Sequence, residues 1–187
     1  MKTRFEIINE LIKKHNYESY LEIGTQQSVS GSQVNCDFKV GVDPAPIKRV
    51  NNDYELFYNL TSDDFFNQNT LQFDLIFIDG DHSYQQVKKD LINAAKFLKP
   101  NGAIVLHDCL PHCEEYTSLL WNGTVYQLVN DIVEAKVKKY EIHNHDQGCG
   151  VVYGLTEKQL EKIKTIDSSN LTYNQYVENK KTWNINE

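Results

Sequence analysis

Four short stretches of this chain hold residues whose types and spacing could do chemistry. They are Glu22-Ile23-Gly24-Thr25-Gln26-Gln27-Ser28, Asp43-Pro44, Asp79-Gly80-Asp81-His82 and His107-Asp108. Each follows a run of apolar residues. Gly24 would let a ligand approach the backbone closely. Asp43 stands 21 residues after Glu22, and its carboxylate can accept from both hydroxyls of a ribose. A dinucleotide would need G-x-G-x-x-G to close backbone on its pyrophosphate. Here Gly24 is followed by Gln26, Gln27 and Ser28, and the next glycine is Gly31. That cradle is missing, and so is a Walker loop. A nucleoside without a pyrophosphate fits better, and S-adenosylmethionine is the common one.

The elements that must position these residues follow from hydrophobic spacing. SYLEI (19–23), FKVGV (38–42), FDLIFI (73–78) and AIVLH (103–107) read as strands. FDLIFI is apolar at successive positions, as expected where helices cover both faces of a parallel sheet. Thr3 with Glu6 reads as a capping box that starts a helix, with Phe5, Ile8 and Ile12 on one face. Ser83 with Gln86 reads as another, followed by an apolar stripe of Val87, Leu91, Ala94, Ala95 and Leu98 that stops at Lys99-Pro100-Asn101-Gly102. A shorter helix starts at Thr61-Ser62, with Asp63 and Asp64 in its first turn. A helical region over about 113–135 leads to VKKYEIHNHDQGCGVVYGL, a hairpin signal that ends the sheet antiparallel. Strand alternating with helix predicts an α/β, doubly wound, mostly parallel Rossmann-like sheet. In such a sheet all four loops crowd the carboxyl ends of the strands, where ligands bind.

Composition bounds the partners. At 187 residues the chain reads as a single domain over 1–187. Residues 1–16 form its N-terminal helix, about 17–155 its core and 164–187 a polar tail with one short helix. The net charge of -7 argues against nucleic acid or an anionic membrane surface as partner. A charged, helical N-terminus and scattered Cys36, Cys109, Cys113 and Cys149 predict reduced thiols and a cytoplasmic protein. Neither the first helix nor the tail declares a partner, so an oligomer stays open.

YLEIGTQQS resembles the first motif of class I S-adenosylmethionine-dependent methyltransferases, and VGVDPAP resembles the second. TSDDFF, FDLIFIDGDHSYQQVKKDL, GAIVLHDCLP, WNGTVYQLV and HDQGCGVVYGL are similar, in order and spacing, to the subfamily that includes sugar and macrolide O-methyltransferases. The resemblance covers roughly residues 19–155 and implies the fold of that class, seven strands with a final antiparallel hairpin. It implies that Glu22 holds the loop or the donor's amino group, with Gly24, Thr25, Gln26 and Ser28 around the methionine part. Asp43 would bind the ribose, and Ser62 and Asp63 would lie against the adenine. Many relatives have glycine where this chain has Ser28, so the first loop departs from their pattern at that position.

More distant metal-dependent O-methyltransferases end the equivalent strand in Asp-x-x-Lys, with the Asp on a divalent ion and the Lys as base. Asp79-Gly80-Asp81-His82 has that spacing, with His82 at the base position, and His107-Asp108 stands where they carry a metal pair. The resemblance therefore implies Asp79, His107 and Asp108 as metal ligands, Asp79 also beside the cofactor, and His82 as catalytic base. Two carboxylates suit magnesium or manganese, and the imidazole extends the choice to iron or zinc. The acceptor would be a small hydroxylated molecule, a sugar among them. The bland alternatives stand beside each role. Asp79 could cap the next helix, Asp43 could serve only a turn, His82 could be a solvated histidine, and His107-Asp108 a structural pair. The cluster His107 to Cys113 lacks zinc-finger spacing, so its cysteines read as buried filler. A nucleoside-binding protein of the same fold without methyl transfer, and an oxidoreductase on the same sheet, are the rival functions.

Overall fold

The computed structural model describes residues 2–46 and 53–186. An eight-stranded sheet runs through it in the order β3-β2-β1-β4-β5-β7-β6-β8. These strands are β1 (Ser19–Ile23), β2 (Phe38–Val42), β3 (Leu56–Tyr58), β4 (Phe73–Ile78), β5 (Leu98–Leu106), β6 (Tyr140–His143), β7 (Cys149–Tyr153) and β8 (Ile185–Asn186). β1 to β5 are parallel, and β7 lies antiparallel between β5 and β6. The strand order reverses at β1/β4, so the crevice between those two carboxyl ends is the expected ligand site.

The continuous apolar run of β4 serves two cores. Leu75 and Phe77 face one cluster with Tyr20, Ala103 and Val105, under α1 (Arg4–His15). Ile76 and Ile78 face the other, with Leu21, Ile23, Ile104 and Leu106. α3 (Ser62–Gln68), α4 (Tyr84–Ala94) and α5 (Val125–Glu134) cover that second face with Phe65, Leu91 and Leu128. α2 (Val29–Gln33) is a single short turn after β1. The Thr3–Glu6 capping box is present.

Four expectations need correction. Ser83 Oγ accepts from Gln86 N, but the Gln86 amide does not return to cap Ser83. It donates instead to Asp90 Oδ1 at 3.0 Å and Ser62 Oγ at 3.2 Å. α4 ends at Ala94, before Lys99-Pro100-Asn101-Gly102, and that segment belongs to β5. Its register against β4 shifts between Phe73 and Leu75, so the Pro and the left-handed Asn101 (φ 67°) sit in an irregularity rather than a helix stop. The helical region at 113–135 is a 3-10 turn at Glu114–Thr117 followed by α5 alone.

The fourth concerns residues 164–187 and the strand count. The end of the chain forms α6 (Glu157–Thr165), α7 (Tyr173–Asn179) and an eighth strand, β8, parallel to β6. Tyr176 is fully buried against Tyr126 (centroids 4.9 Å apart) and Trp183 (5.5 Å). Lys88 Nζ meets Asp131 Oδ2 at 2.7 Å and the Ile166 carbonyl, tying α4, α5 and this segment together. A polar average hid a few large aromatic anchors.

Candidate active site

The four loops meet on one rim because backbone bonds continue the ladder past the strand ends. Gly24 N donates to Val42 O (2.9 Å), Asp79 N to Ile23 O (2.9 Å) and His107 N to Ile78 O (3.1 Å). Gly24 has φ +86°, and a Cβ there would lie 2.2 Å from the Asp79 carbonyl oxygen. Only glycine lets the first and fourth strands close at this point. A cavity of about 1010 Å³ opens on this rim. Glu22, Gly24, Thr25, Gln26, Asp43, Ser62, Asp63, Asp79, His82, His107 and Asp108 all line it. Ser28 does not: its Oγ donates to Asp53 Oδ2 at 2.7 Å, and it is buried. Its φ of 57° shows that the loop takes a left-handed turn without the usual glycine.

One half of the cavity suits a nucleoside. Asp43 Oδ2 accepts from Gln26 N (2.7 Å) and Oδ1 from Ala45 N (2.8 Å), which aims a buried carboxylate and shapes the first loop at once. Ser62 and Asp63 open α3 and are held from the far side by Gln86. Asp90 joins them, almost wholly buried. Burial pushes its carboxyl up to about 6. Thr25 Oγ1 is buried there without a partner. Glu22 Oε2 takes hydrogen bonds from Tyr20 and Tyr54 hydroxyls (2.9 and 2.8 Å), and burial raises its carboxyl to about 8. Glu22 thus holds the loop through Tyr54, whose ring lies where a Cβ on Gly31 would stand.

The other half carries two histidines among carboxylates. Ligand atoms of Asp79, His82 and Asp108 lie within 4.8 Å of one another. His82 Nδ1 bonds the Trp121 carbonyl, which directs Nε2 toward Asp108 Oδ2 (3.3 Å) and Asp79 Oδ1 (3.7 Å). The hydrogen bond with Asp79 leads in raising the pKa of this imidazole. Asp108 reaches its position through a left-handed backbone, φ 61°, a conformation that costs energy and that functional sites tend to hold. His107 stands beside the same two carboxylates. Its Nδ1 sits 3.1 Å from Asp79 Oδ1 and 3.2 Å from Asp108 Oδ2, with Nε2 3.8 Å from Asp146 Oδ1. Burial works against its charge, but Asp79, Asp108 and Asp146 together raise its pKa well above the ordinary value. His107 Nδ1 thus faces the same two carboxylates as His82, beside the Asp79-His82-Asp108 group whose atoms could hold an ion. Burial would raise the Asp79 carboxyl, but His107, His82 and Arg4 hold it well below the usual range. His107 also holds Asp146 down to about 2.

Sequence reasoning missed Arg4 and Asp90. Arg4 comes from α1, outside the motif-bearing loops, and lines the same cavity. No local pattern marks it. The rim opposite is apolar and exposed: Leu119, Leu120 and Trp121 all line the cavity. Trp121 stacks on Tyr116 (4.9 Å), whereas Tyr126 is a core residue bonded to Leu171 O (3.0 Å).

Residues 42–109 match a family model described as a methyltransferase domain. A search of curated proteins by sequence finds no match. Among solved structures, a Staphylococcus aureus protein assigned as a caffeoyl-CoA O-methyltransferase is similar at TM-score 0.59 and 21% identity, over 83% of this chain and 85% of that one. An O-methyltransferase from Bacillus cereus in complex with SAH is similar at 0.56 and 18%, over 81% and 80%. The SAH-bound Podospora anserina methyltransferase PaMTH1 is similar at 0.63 and 15%, over 83% and 80%. At such identities the likeness speaks for the fold. Among the described residues no helix is long and apolar enough to cross a membrane. Motif order, strand order and the solved structures agree on the class I methyltransferase fold, and the segment 42–109 within it is similar to a methyltransferase domain.

Proposed function

We propose that the chain is an S-adenosylmethionine-dependent O-methyltransferase acting on a hydroxyl of a small acceptor, a sugar among the candidates, with a divalent ion. One observation carries the reading: a single cavity is lined both by Asp43, Ser62 and Asp63 and by the Asp79-His82-Asp108 cluster. Asp43 would hold the ribose, Ser62 and Asp63 the adenine edge, and Gly24 and Thr25 the amino-acid part of the donor. Orienting the acceptor oxygen and the sulfonium methyl in line lowers the barrier by removing translational and rotational freedom before the reaction. Leu119 and Trp121 would cover the acceptor and exclude water.

The cluster fits an ion on two counts. Two carboxylates and one imidazole make a donor set suited to magnesium or manganese, with iron or zinc as softer choices. The Nδ1 of His82 is engaged by a backbone carbonyl, the usual outer partner of a metal-bound histidine. A bound ion supplies Lewis acidity that brings a hydroxyl's pKa toward neutrality. His82 Nε2 has one lone pair, so it serves either as third ligand or as base toward the hydroxyl. The geometry favours the ligand.

The test is a product assay over a library of hydroxylated acceptors, with calorimetry of donor binding. EDTA should abolish turnover and leave donor affinity nearly intact. Full turnover in chelator would remove the ion and return His82 to the role of base. Tight donor binding without turnover on any acceptor, with or without added metal, would make the chain a binding protein instead.

A further inference from the structure

Eight acidic residues line the cavity, and Arg4 is the one Lys or Arg among the described lining residues. Its side chain keeps 24% of its exposure. Nε donates to Ser30 Oγ at 2.9 Å and stands 3.6 Å from Asp79 Oδ2, and Nη1 donates to Asp146 Oδ2 at 3.3 Å. Asp146 Oδ2 also accepts from the Arg4 backbone N–H at 2.7 Å, which locks the start of α1 against the β6–β7 turn. A guanidinium has five N–H groups in a planar fork, so these bonds leave Arg4 with donors to spare. Of its partners, Ser30 follows β1 and Asp79 ends β4, while Asp146 comes from the β6–β7 turn, and none of them holds Asp43, Ser62 or Asp63. The first two mark the β1 and β4 side of the cavity. That is the side where Gly24 meets Asp79, and where the amino-acid part of the donor would lie.

We infer that Arg4 binds the carboxylate of the donor's methionine part, so that the N-terminal helix completes the cofactor site. This rests on the reading of the chain as a protein that binds S-adenosylmethionine. Charge favours such a group. A ligand carboxylate entering an acid-lined cavity loses its hydration and meets repulsion unless a fixed cation offsets both. Arg4 is such a cation, pre-aimed by Ser30 and Asp146, and a guanidinium grips a carboxylate through two parallel bonds. The sulfonium and amino groups of the donor would gain from the surrounding carboxylates, which leaves its carboxylate as the one group needing Arg4.

Calorimetry on the full chain tests this with three ligands: S-adenosylhomocysteine, its decarboxylated analogue, and methylthioadenosine, which lacks the amino-acid part. The wild type should bind S-adenosylhomocysteine about 10- to 100-fold more tightly than the decarboxylated analogue, the range for a hydrogen-bonded charge pair. Arg4→Met should remove that preference and leave methylthioadenosine unchanged. Arg4→Lys should keep part of it. Equal loss for all three ligands in Arg4→Met would show that Arg4 only supports the fold and would overturn the assignment. No preference in the wild type would overturn it too, even if neither variant folds. A folded wild type that binds none of the three refutes the donor reading itself, a distinct result.

Discussion

Glu22 offers a measurement of how the first loop is held. Its carboxyl is buried beneath Tyr20 and Tyr54, and burial raises it from 4.5 to about 8 despite both hydroxyls. A carboxyl raised on folding stabilises the fold fully only below its unfolded value, and the contribution is lost as pH climbs through the folded value. The loss runs at about 1.4 kcal/mol per pH unit. From pH 5 to pH 9 the wild type should therefore lose roughly 4 kcal/mol through this one group. Glu22→Gln keeps an oxygen that accepts from both tyrosines and cannot ionise. Whatever its amide costs is the same at every pH, so only the slope matters. Urea unfolding of both proteins at pH 5, 7 and 9 should show the gap moving in favour of the variant by about 4 kcal/mol over that range. Parallel stability curves would refute the argument, because they would mean that Glu22 is already ionised or hydrated in the folded chain.

Two further predictions follow from packing. Gly24→Ala places a Cβ 2.2 Å from a backbone oxygen at φ +86°, so donor affinity should fall by at least about tenfold as the β1 and β4 ends separate. Calorimetry with S-adenosylhomocysteine checks it, and unchanged affinity would mean that the rim tolerates the separation. Trp183→Ala should cost about 3 kcal/mol in urea unfolding, as for other large buried aromatics. A loss under about 0.5 kcal/mol, the level of an ordinary surface change, would show that the end of the chain does not belong to the core.

What could be read from residues alone was whatever repeats locally. The mostly apolar runs named β1, β2 and β4 to the residue, because strands largely buried on both faces carry few polar positions to blur their limits. The convergence of the four loops followed from topology, since parallel strands must present their carboxyl ends together. At the end of the chain the expected short helix is α7, and β8 is the element beyond expectation. TEKQ and TYNQ are capping boxes with the same spacing as the one at Thr3, and both start helices. The segment averages polar, yet Tyr176 and Trp183 bury it without any period.

The roles of the two histidines lay beyond the sequence for a more basic reason. His82 and His107 both follow strands and both neighbour aspartates, so composition treats them alike. What separates them is one turn of backbone. The left-handed φ at Asp108 swings its carboxylate toward His82 Nε2, and Gly123 (φ +58°) lets Trp121 present its carbonyl to His82 Nδ1. A Cβ on Gly123 would lie 2.2 Å from the His82 carbonyl oxygen. His107 instead stands among Asp79, Asp108 and Asp146, groups spread over 68 positions of chain, and only the sheet brings them together. A motif can say that an imidazole reaches the rim. Which of its nitrogens stays free is decided by partners that no spacing along the chain encodes.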